Sequence, residues 1–387
     1  MTLRIFNSGS ERKEVFRTLK PNTAKIYVCG ITPYDTTHLG HAFTYVSFDA
    51  FIRYLKFKGF RVEYAQNVTD IDDDILRKSR EDHRNWRELG NFWTRQYLND
   101  MRRINVLRPT HYIKATGSIR AMIKIIDSLL KKSIAYESGG NIYFRTKKFP
   151  RYGRLSHFNE SQMLLLLKER GGNPDDKNKE DPLDFVLWQH KAEGEPSWST
   201  PWGRGRPGWH IECSTMINEY LGERIDVHGG GRDLIFPHHE SEIAQAESFT
   251  GKSPMSRYFM HTAMVMYRGE KMSKSLGNLI MVSKLLKNHT PNAIRWLLLS
   301  HRYRQVWEYV PEELEAAGKC VKRLESYAKE EGPSHASADK STMNRFCRAM
   351  DDDLNTPEAL RIIKNSYESA ESKETVRSMM RILGFDI

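Results

Sequence analysis

The sequence has few cysteines and no long apolar run, and each absence excludes a class of protein. Only four cysteines occur among 387 residues, Cys29, Cys213, Cys320 and Cys347, and no two of them form a CxxC pair. This usage gives no disulfide framework and predicts free, mostly buried thiols. No stretch reaches the roughly 18 apolar residues of a membrane span, and the N-terminal MTLRIFNSGS lacks the apolar segment of a signal peptide. We therefore expect a cytoplasmic protein with no membrane partner.

An excess of acidic residues is also absent, since the formal net charge is +11. Such a surplus suits anionic partners such as ATP or RNA, although solubility alone would explain it equally well. From Cys320 to the C-terminus, 11 Lys and Arg stand against 12 Asp and Glu, a net charge of −1. The basic surplus therefore lies upstream of residue 320.

The apolar pattern near the N-terminus is typical of a βαβ unit. AKIYVCG (24–30) indicates a buried strand that ends in a glycine turn, residues 37–59 have helical periodicity, and FRVEYAQNVTDIDDDIL (60–76) supplies a second strand. Two strands joined by a helix form a parallel pair, so the sequence predicts an α/β fold with a parallel sheet. Ligands bind at the carboxyl ends of such strands, where Cys29 and Asn67–Thr69 fall.

Four regions are predicted along the chain. Residues 1–110 and 201–307 are the two halves of a nucleotide-binding catalytic domain, 111–200 are an insertion between them, and 308–387 are a C-terminal α-helical bundle. Within the bundle, NTPEALRIIKNSYESA predicts a helix with Thr356 as its N-cap and a proline at its first position.

Two short motifs have the chemistry of a triphosphate site. HLGH places His38 and His41 at the start of the first helix, where two imidazoles and the helix N-terminus can bind phosphate oxygens. By itself the motif is equally well explained as two surface histidines. KMSKS (271–275) places Lys271 and Lys274 on a loop, where ammonium groups can stabilise the charge that develops as pyrophosphate leaves.

A third group of residues could bind a metal. Cys29, Cys213 and His238 supply two thiolates and an imidazole, a set suited to zinc, and three ligands leave a fourth position open. Glu242 follows His238 by four residues, on the same helical face, and could complete the tetrahedron. Spacing alone favours the alternative, that these are buried cysteines and a core histidine.

The motifs together resemble the cysteinyl-tRNA synthetase superfamily, a branch of the class I aminoacyl-tRNA synthetases. The stretches that carry the resemblance are THLGHA, NVTDIDD, GEPSW, GRPGWHIECS, GGGRDLIFPHHE and KMSKSLGN, which occur in the family's order over almost the whole chain. The resemblance implies a Rossmann-like catalytic domain that activates L-cysteine with ATP, with Mg²⁺ as the expected companion ion of ATP. It also implies one zinc ion, held by Cys29, Cys213 and His238, which binds the thiolate of substrate cysteine.

The resemblance further implies a binding site for cysteinyl-adenylate. Its predicted residues are Cys29, Gly30, Ile31, Thr32, Thr44, Asn67, Val68, Thr69, Trp209, Gly231, Arg232, Asp233, Val265 and Lys274. Of these, Gly231, Arg232, Asp233 and Val265 are expected to contact its adenosine end. Arg232 stands where the family usually has serine, so its contact is expected through the backbone. A monomer is expected.

Two subfamilies share this machinery and differ in the acceptor of the cysteinyl group. One charges tRNA-Cys, and the other, the ligase of mycothiol biosynthesis, transfers cysteine to the amine of glucosaminyl-inositol. CGITPYD (29–35), ERGGNP (169–174) and GNLIMVS (277–283) resemble the ligase, and the acidic tail that ends at Ile387 suits an RNA backbone poorly. The sequence therefore predicts the amino-sugar ligase.

Two features favour the alternative, a cysteine–tRNA ligase. The stretch HHESEIAQAE, which contains Glu242, resembles the corresponding motif of the synthetases, and the overall charge of +11 suits a tRNA partner. A third interpretation is a non-catalytic binding paralogue, against which the intact HLGH, KMSKS and metal residues argue.

Overall fold

The computed structural model describes residues 2–34, 37–272, 276–329, 338–370 and 372–387. Its α-helices, in chain order, are α1 Leu39–Phe57, α2 Asp73–Glu81, α3 Trp86–Arg103, α4 Ile119–Lys131, α5 Glu160–Glu169, α6 Trp209–Tyr220, α7 Glu240–Thr250, α8 Val282–Leu285, α9 Pro291–Leu299, α10 Pro311–Lys329, α11 Lys340–Asp351, α12 Thr356–Glu368 and α13 Lys373–Ile382. Its strands are β1 Arg4–Asn7, β2 Arg12–Val15, β3 Thr23–Ile31, β4 Arg61–Val68, β5 His111–Lys114, β6 Ala135–Ser138, β7 Asn141–Phe144, β8 Phe185–His190, β9 Trp198–Thr200, β10 Gly203–Pro207, β11 Ile225–Gly231, β12 Ser256–Thr262, β13 Val265–Tyr267, β14 Glu270–Lys271 and β15 Trp307–Glu308.

A five-stranded sheet in the order β12-β11-β3-β4-β5 forms the centre of the molecule, and all its neighbours pair in parallel. The predicted parallel sheet is thereby confirmed. Strand β3 is buried along most of its length, which explains its continuous apolar run. Because the strands run in the same direction, their carboxyl ends bring Cys29, Val68, Gly231 and Thr262 to one edge.

A separate antiparallel sheet, in the order β6-β7-β8-β10-β9, lies in the region that the sequence assigns to an insertion. The predicted limits of 111 and 200 do not coincide with the strand pairing. Strand β5 follows residue 110 yet pairs with β4 in the central sheet, and β10 follows residue 200 yet pairs with β8. Neither long-range pairing leaves a signal in composition, so the sequence could not place these limits.

In the described part of the chain beyond residue 308, where the sequence predicts a helical bundle, the structure has helices α10 to α13. Their apolar faces share one continuous core with α1 and α9, so the bundle packs directly on the catalytic half. The predicted cap of α12 is wrong by one residue. Asn355 is the N-cap and its side chain accepts a hydrogen bond from Glu358 N at 3.3 Å, while Thr356 is the first helical residue. Asn and Thr both cap helices, so the sequence alone could not choose between adjacent positions.

No helix among the described residues has the length and apolar character needed to cross a bilayer.

A buried arginine joins the C-terminal segment to the catalytic half. Arg295 on α9 has no exposed surface, and its guanidinium donates to the Asp49 carboxylate and to the carbonyl oxygens of Leu383 at 2.6 Å and Ile104 at 3.1 Å. We expect Arg295→Met to lower the free energy of unfolding by about 3 kcal/mol, because it leaves a buried carboxylate and two carbonyls short of donors. Urea unfolding measures this difference.

The matched control is Arg77→Met. That arginine forms ion pairs of 2.9 Å with two carboxylates, but they lie at the surface. Its loss should cost under about 1 kcal/mol. Equal losses for the two variants would contradict the role assigned to Arg295.

Candidate active site and metal centre

Four buried side chains from three segments converge at the carboxyl edge of the central sheet. Cys29 lies at the end of β3, Cys213 on α6, His238 just before α7 and Glu242 on α7. One donor atom of each lies within 4.8 Å of the others, and all four residues are buried. The sequence predicted the first three as metal ligands and left Glu242 open; the structure brings all four together.

The spacing of the donor atoms is that of a compact cluster. Cys29 Sγ lies 3.8 Å from Cys213 Sγ and 3.5 Å from a Glu242 carboxylate oxygen. The same carboxylate oxygen lies 2.9 Å from His238 Nε2. Two sulfurs, one imidazole nitrogen and one carboxylate oxygen form a donor set that fits zinc.

The protonation preferences within the cluster follow from burial and from close neighbours. Burial raises the pKa of the Cys29 thiol well above its ordinary value. Burial opposes ionisation of Cys213 as well, but hydrogen bonds from Cys29 and His238 outweigh it and lower the pKa of Cys213 to about 6. Burial opposes charge on His238, yet the Glu242 carboxylate raises the pKa of that imidazole to about 10. The cluster therefore already contains a readily ionised thiol beside a carboxylate.

Sequence reasoning missed a second layer of histidines around this cluster. His239 Nε2 lies 3.3 Å from Cys29 Sγ, and its Nδ1 lies 2.8 Å from His261 Nε2. His261 Nδ1 lies 2.7 Å from the Ser8 hydroxyl. His228 Nε2 lies 3.1 Å from the second oxygen of Glu242. His228 and His261 lie more than 30 residues apart in the sequence, and the pairing of β11 with β12 brings them together.

Burial determines the charge state of two of these histidines, His239 and His261. It lowers the pKa of His261 to about 3 and that of His239 well below its ordinary value, with neighbouring histidines adding to the effect. His239 and His261 are therefore neutral near pH 7, and they can act as hydrogen-bond donors and acceptors beside the cluster.

The HLGH histidines lie at the same edge of the sheet, at the start of α1. His38 is the N-cap of α1, with Nδ1 accepting a hydrogen bond from Gly40 N at 3.1 Å. The rings of His38 and His41 lie 3.7 Å apart and both residues are half-buried. The side chains thus border the positive end of a 19-residue helix, the arrangement expected of a phosphate site.

The segment that follows KMSKS pairs with the HLGH segment. Leu39 N donates to Ile280 O at 2.8 Å, and Val282 N donates to Thr37 O at 2.9 Å. Residues 280–282, which follow KMSKS in the sequence, therefore lie beside the start of HLGH in space.

Of the two KMSKS lysines, the structure places Lys271. It lies on β14 with its ammonium group 3.3 Å from the Asp233 carboxylate, and both side chains are partly exposed. Lys274 lies outside the described residues. The Lys271–Asp233 pair connects the KMSKS segment to the predicted adenosine end of the site.

The residues predicted to line the adenylate occupy the carboxyl ends of the central strands and the segments that follow. Gly30 and Ile31 end β3, Asn67 and Val68 end β4 with Thr69 after them, Gly231 ends β11 with Arg232 and Asp233 following in a 3₁₀ turn, Trp209 begins α6, Thr44 lies on α1, Thr32 follows β3, and Val265 begins β13. Trp209 stacks on His238, with ring centroids 4.3 Å apart, so this predicted adenylate residue borders the metal cluster.

A chain of hydrogen bonds links the two cysteines of the cluster through the adenylate residues. Gly30 N donates to Asn67 Oδ1 at 2.7 Å, and Asn67 Nδ2 donates to the Thr69 hydroxyl at 3.2 Å. The Thr69 hydroxyl donates to Glu212, the neighbour of Cys213, at 2.8 Å. Glu212, which is buried and was missed by the sequence analysis, therefore helps fix Thr69.

The ERGGNP motif contacts the protein backbone next to the predicted adenosine residues. The Arg170 guanidinium donates to the carbonyl oxygens of Asp233 and Phe236. This contact gives the motif a structural role, in holding the turn after β11.

Comparisons with known proteins place the chain in a family. Residues 15–319 match the family described as the tRNA synthetases class I (C) catalytic domain, and residues 345–365 match the DALR domain. The chain is 44% identical to a cysteine–tRNA ligase of Legionella pneumophila (strain Corby), over 99% of this chain and 85% of that protein. It is 41% identical to the cysteine–tRNA ligase of Dehalococcoides mccartyi (strain ATCC BAA-2266 / KCTC 15142 / 195), over 100% and 86%, and 41% identical to that of Thermococcus onnurineus (strain NA1), over 94% and 79%.

Solved structures show the same fold at lower identity. Mycobacterium tuberculosis methionyl-tRNA synthetase in complex with methionyl-adenylate superposes with a TM-score of 0.67 at 15% identity, covering 93% of this chain and 89% of that one. A putative arginyl-tRNA synthetase from Campylobacter jejuni gives a TM-score of 0.54 at 12% identity, over 93% and 90%. The parallel sheet, the two motifs at its carboxyl edge and the matched residues lead to one conclusion: the chain belongs to the class I aminoacyl-tRNA synthetase family, whose members are ATP-dependent, AMP-forming ligases.

Proposed function

We propose that this protein activates L-cysteine with ATP, forming cysteinyl-adenylate and pyrophosphate, and transfers the cysteinyl group to tRNA-Cys with release of AMP. The observation that carries the proposal is the buried cluster of Cys29, Cys213, His238 and Glu242, at the sheet edge that also carries the HLGH histidines. A zinc ion held by this donor set would bind the thiolate of cysteine, and the neighbouring phosphate site would bind ATP. Cysteine activation requires both. The names of the 41–44% identical relatives support both the amino acid and the acceptor.

The metal cluster provides the basis for choosing cysteine over serine. Zinc held by these four side chains would favour a thiolate over a hydroxyl, because a metal lowers the pKa of a thiol far enough for it to ionise near neutral pH. The four cluster side chains are buried, with Trp209 and His239 in contact with them, and burial strengthens electrostatic interactions there.

The chain's own residues account for the activation step. Asn67 and Thr69 are held by the hydrogen-bond chain from Gly30 to Glu212, so they present fixed polar groups to the amino acid. The cysteine carboxylate attacks the α-phosphate of ATP, and pyrophosphate leaves. His38, at the N-terminus of α1, donates to phosphate oxygens and stabilises the charge that develops there. The acceptor group of tRNA-Cys then attacks the acyl carbon of the adenylate, and AMP leaves.

The acceptor is where the two leading sequence interpretations differ. The predicted amino-sugar ligase has no support from the comparisons, which favour the alternative, since the relatives are cysteine–tRNA ligases. Glu242 lies within the candidate metal cluster. The stretch around it, HHESEIAQAE, is the one that resembles the synthetases. ERGGNP, which indicated the ligase, instead has the structural contact described for Arg170.

A single-turnover assay tests the proposal. Enzyme-bound cysteinyl-adenylate, made with labelled ATP, is mixed with transcribed tRNA-Cys or with glucosaminyl-inositol, and AMP release is followed. We expect tRNA-Cys to discharge the adenylate and the amino sugar to be inert. Discharge by the amino sugar alone would restore the ligase interpretation, and the absence of any cysteine-dependent ATP–pyrophosphate exchange would support a non-catalytic paralogue.

A variant of the KMSKS segment provides a prediction for the activation step. Lys271→Ala should slow cysteine-dependent ATP–pyrophosphate exchange by about 10²-fold, since one charge-stabilising donor is lost. The zinc content should not change, because Lys271 lies at the surface by Asp233 and not in the cluster.

The control for this prediction is Lys287→Ala, which removes an exposed lysine outside the motif. Exchange at the wild-type rate in both variants would show that Lys271 has no part in activation. The same test on Lys274 examines the second predicted lysine.

A further inference from the structure

A basic surface accompanies α3 and is not used by the activation site described above. Residues 83–114 contain seven Lys and Arg and two Asp and Glu, a net charge of +5 out of +11 for the whole chain. This stretch is therefore strongly basic. A surplus concentrated in this way points to an anionic partner more strongly than a dispersed one.

Three arginines of this stretch have no ion pair with a described carboxylate. On the preceding helix, α2, Arg77 and Lys78 form ion pairs of 2.9 Å with neighbouring carboxylates. Arg84, Arg87 and Arg95 are exposed, and none has a carboxylate partner in the part of the chain that the structure describes. The two adjacent helices thus differ in this respect, and these three arginines have no carboxylate partner among the described residues that would compete with a ligand.

Aromatic rings lie among these arginines. The Arg84 guanidinium lies 5.4 Å from the ring centre of Phe92, and that of Arg87 lies 5.0 Å from Trp86. Phe92 is 40% exposed and packs edge-on against Trp93 at 5.1 Å. Exposed rings beside guanidinium groups form the kind of surface on which unpaired bases stack, while the charges bind the phosphates between them.

The surface begins beside the activation site. A groove of about 80 Å³ is lined by Trp86, Arg87 and Lys114 together with Asp70, the residue after Thr69. On its other side, Gly90 of α3 faces the loop after β3, which leads to HLGH. A chain bound along α3 would therefore have its end at the adenylate.

We propose that the arginine–aromatic face, formed by Arg84, Trp86, Arg87, Phe92 and Arg95, binds the single-stranded 3′ end of the acceptor RNA. The inference rests on the proposed function and deepens it. A single-stranded RNA end offers both features that the face requires, phosphates for the arginines and unstacked bases for the rings. The amino sugar of the competing interpretation offers neither, and its protonated amine would be repelled by the same arginines.

Charge reversal of the three arginines tests the proposal. In Arg84→Glu/Arg87→Glu/Arg95→Glu, we expect the KM for tRNA-Cys to rise at least about tenfold, with cysteine-dependent exchange unchanged because exchange involves no RNA. The affinity for a short fluorescein-labelled single-stranded RNA ending in CCA should fall by a similar factor. The salt dependence of that binding should become shallower by about 2 in log–log slope, since each phosphate that the variant no longer binds accounts for about 0.7.

The matched control reverses three basic residues at the opposite edge of the sheet, Lys20→Glu/Lys56→Glu/Arg61→Glu, which changes the net charge by the same amount. Equal RNA affinity and equal KM in the two triple variants would overturn the proposal, since net charge alone would then explain the effect. If the α3 variant loses exchange through misfolding, Arg→Gln at the same three positions replaces it, with the same expected loss of RNA affinity and salt dependence.

Different results would contradict the RNA-binding face and the proposed function. Failure of the wild-type protein to bind the RNA probe overturns the face. Binding of the probe without charging of tRNA-Cys overturns the proposed function and leaves the face as an RNA-binding surface.

Discussion

Cys213→Ser is expected to abolish both metal binding and cysteine activation. Purified wild-type protein should contain about one zinc per chain, the stoichiometry of a single four-ligand cluster. The variant should lose that zinc, since a neutral serine hydroxyl replaces the thiol whose pKa is lowered to about 6 in the cluster. Cysteine-dependent exchange should fall at least about 10³-fold, more than the 10–100-fold cost of losing an outer partner of a metal ligand. Elemental analysis and the exchange assay measure the two effects.

The matched control is Cys320→Ser, the same change of atom on a half-buried cysteine of α10, far from the cluster in the sequence. It should keep both zinc and activity. Full exchange activity in zinc-free Cys213→Ser would remove the metal from the mechanism.

Gly30→Ala is expected to reduce cysteine-dependent exchange by about 10³-fold. A methyl group at Gly30 would lie only 1.7 Å from the carbonyl oxygen of Asn67, so one of the two strands must move. The register of β3 against β4 shifts at this point, between Val28 and Ile31, which leaves Gly30 in close contact with the neighbouring strand. A displacement of about 1 Å at a reacting centre costs about 10²-fold, and here both the cluster cysteine and the adenylate residues are affected.

The control is Gly117→Ala, because a methyl group there meets no atom within 4 Å. It should leave exchange and stability within a few tenths of a kcal/mol of wild type, as expected for an open surface position. Thermal unfolding followed by circular dichroism separates lost activity from lost folding in Gly30→Ala. Unaltered exchange in that variant would mean that the strand edge tolerates the displacement, and that the adenylate contacts lie elsewhere.

Short sequence motifs by themselves are weak evidence for the acceptor of the cysteinyl group. CGITPYD and ERGGNP favoured an amino-sugar ligase, because short stretches were compared without knowledge of what they contact. Arg170 of ERGGNP hydrogen-bonds to backbone carbonyls near Asp233, a contact that serves either acceptor. Glu242, a single carboxylate, indicated the acceptor that the comparisons favour, and it lies among the candidate metal ligands.

The sequence by itself determined the local features of this protein. Strand, helix and strand around HLGH were predictable because burial on both faces imposes a continuous apolar run on β3, and because 3.6-residue periodicity identifies α1. The candidate ligands and phosphate residues could be named because their chemistry depends on residue type and on short spacings. The family resemblance, and not the spacing, predicted that Cys29, Cys213 and His238 would meet. Spacing alone favoured buried thiols.

The tertiary structure decided everything that depends on contacts between distant segments. The central sheet brings His228, His239 and His261 around the cluster, and the pairing of β10 with β8 sets the extent of the insertion's sheet. Among the described residues it also decided which surface charges form ion pairs, as the contrast between α2 and α3 shows. The physical reason is the same in each case: a side chain's partners are set by the packing of whole elements, and residues hundreds of positions apart carry no local signal that they will be neighbours.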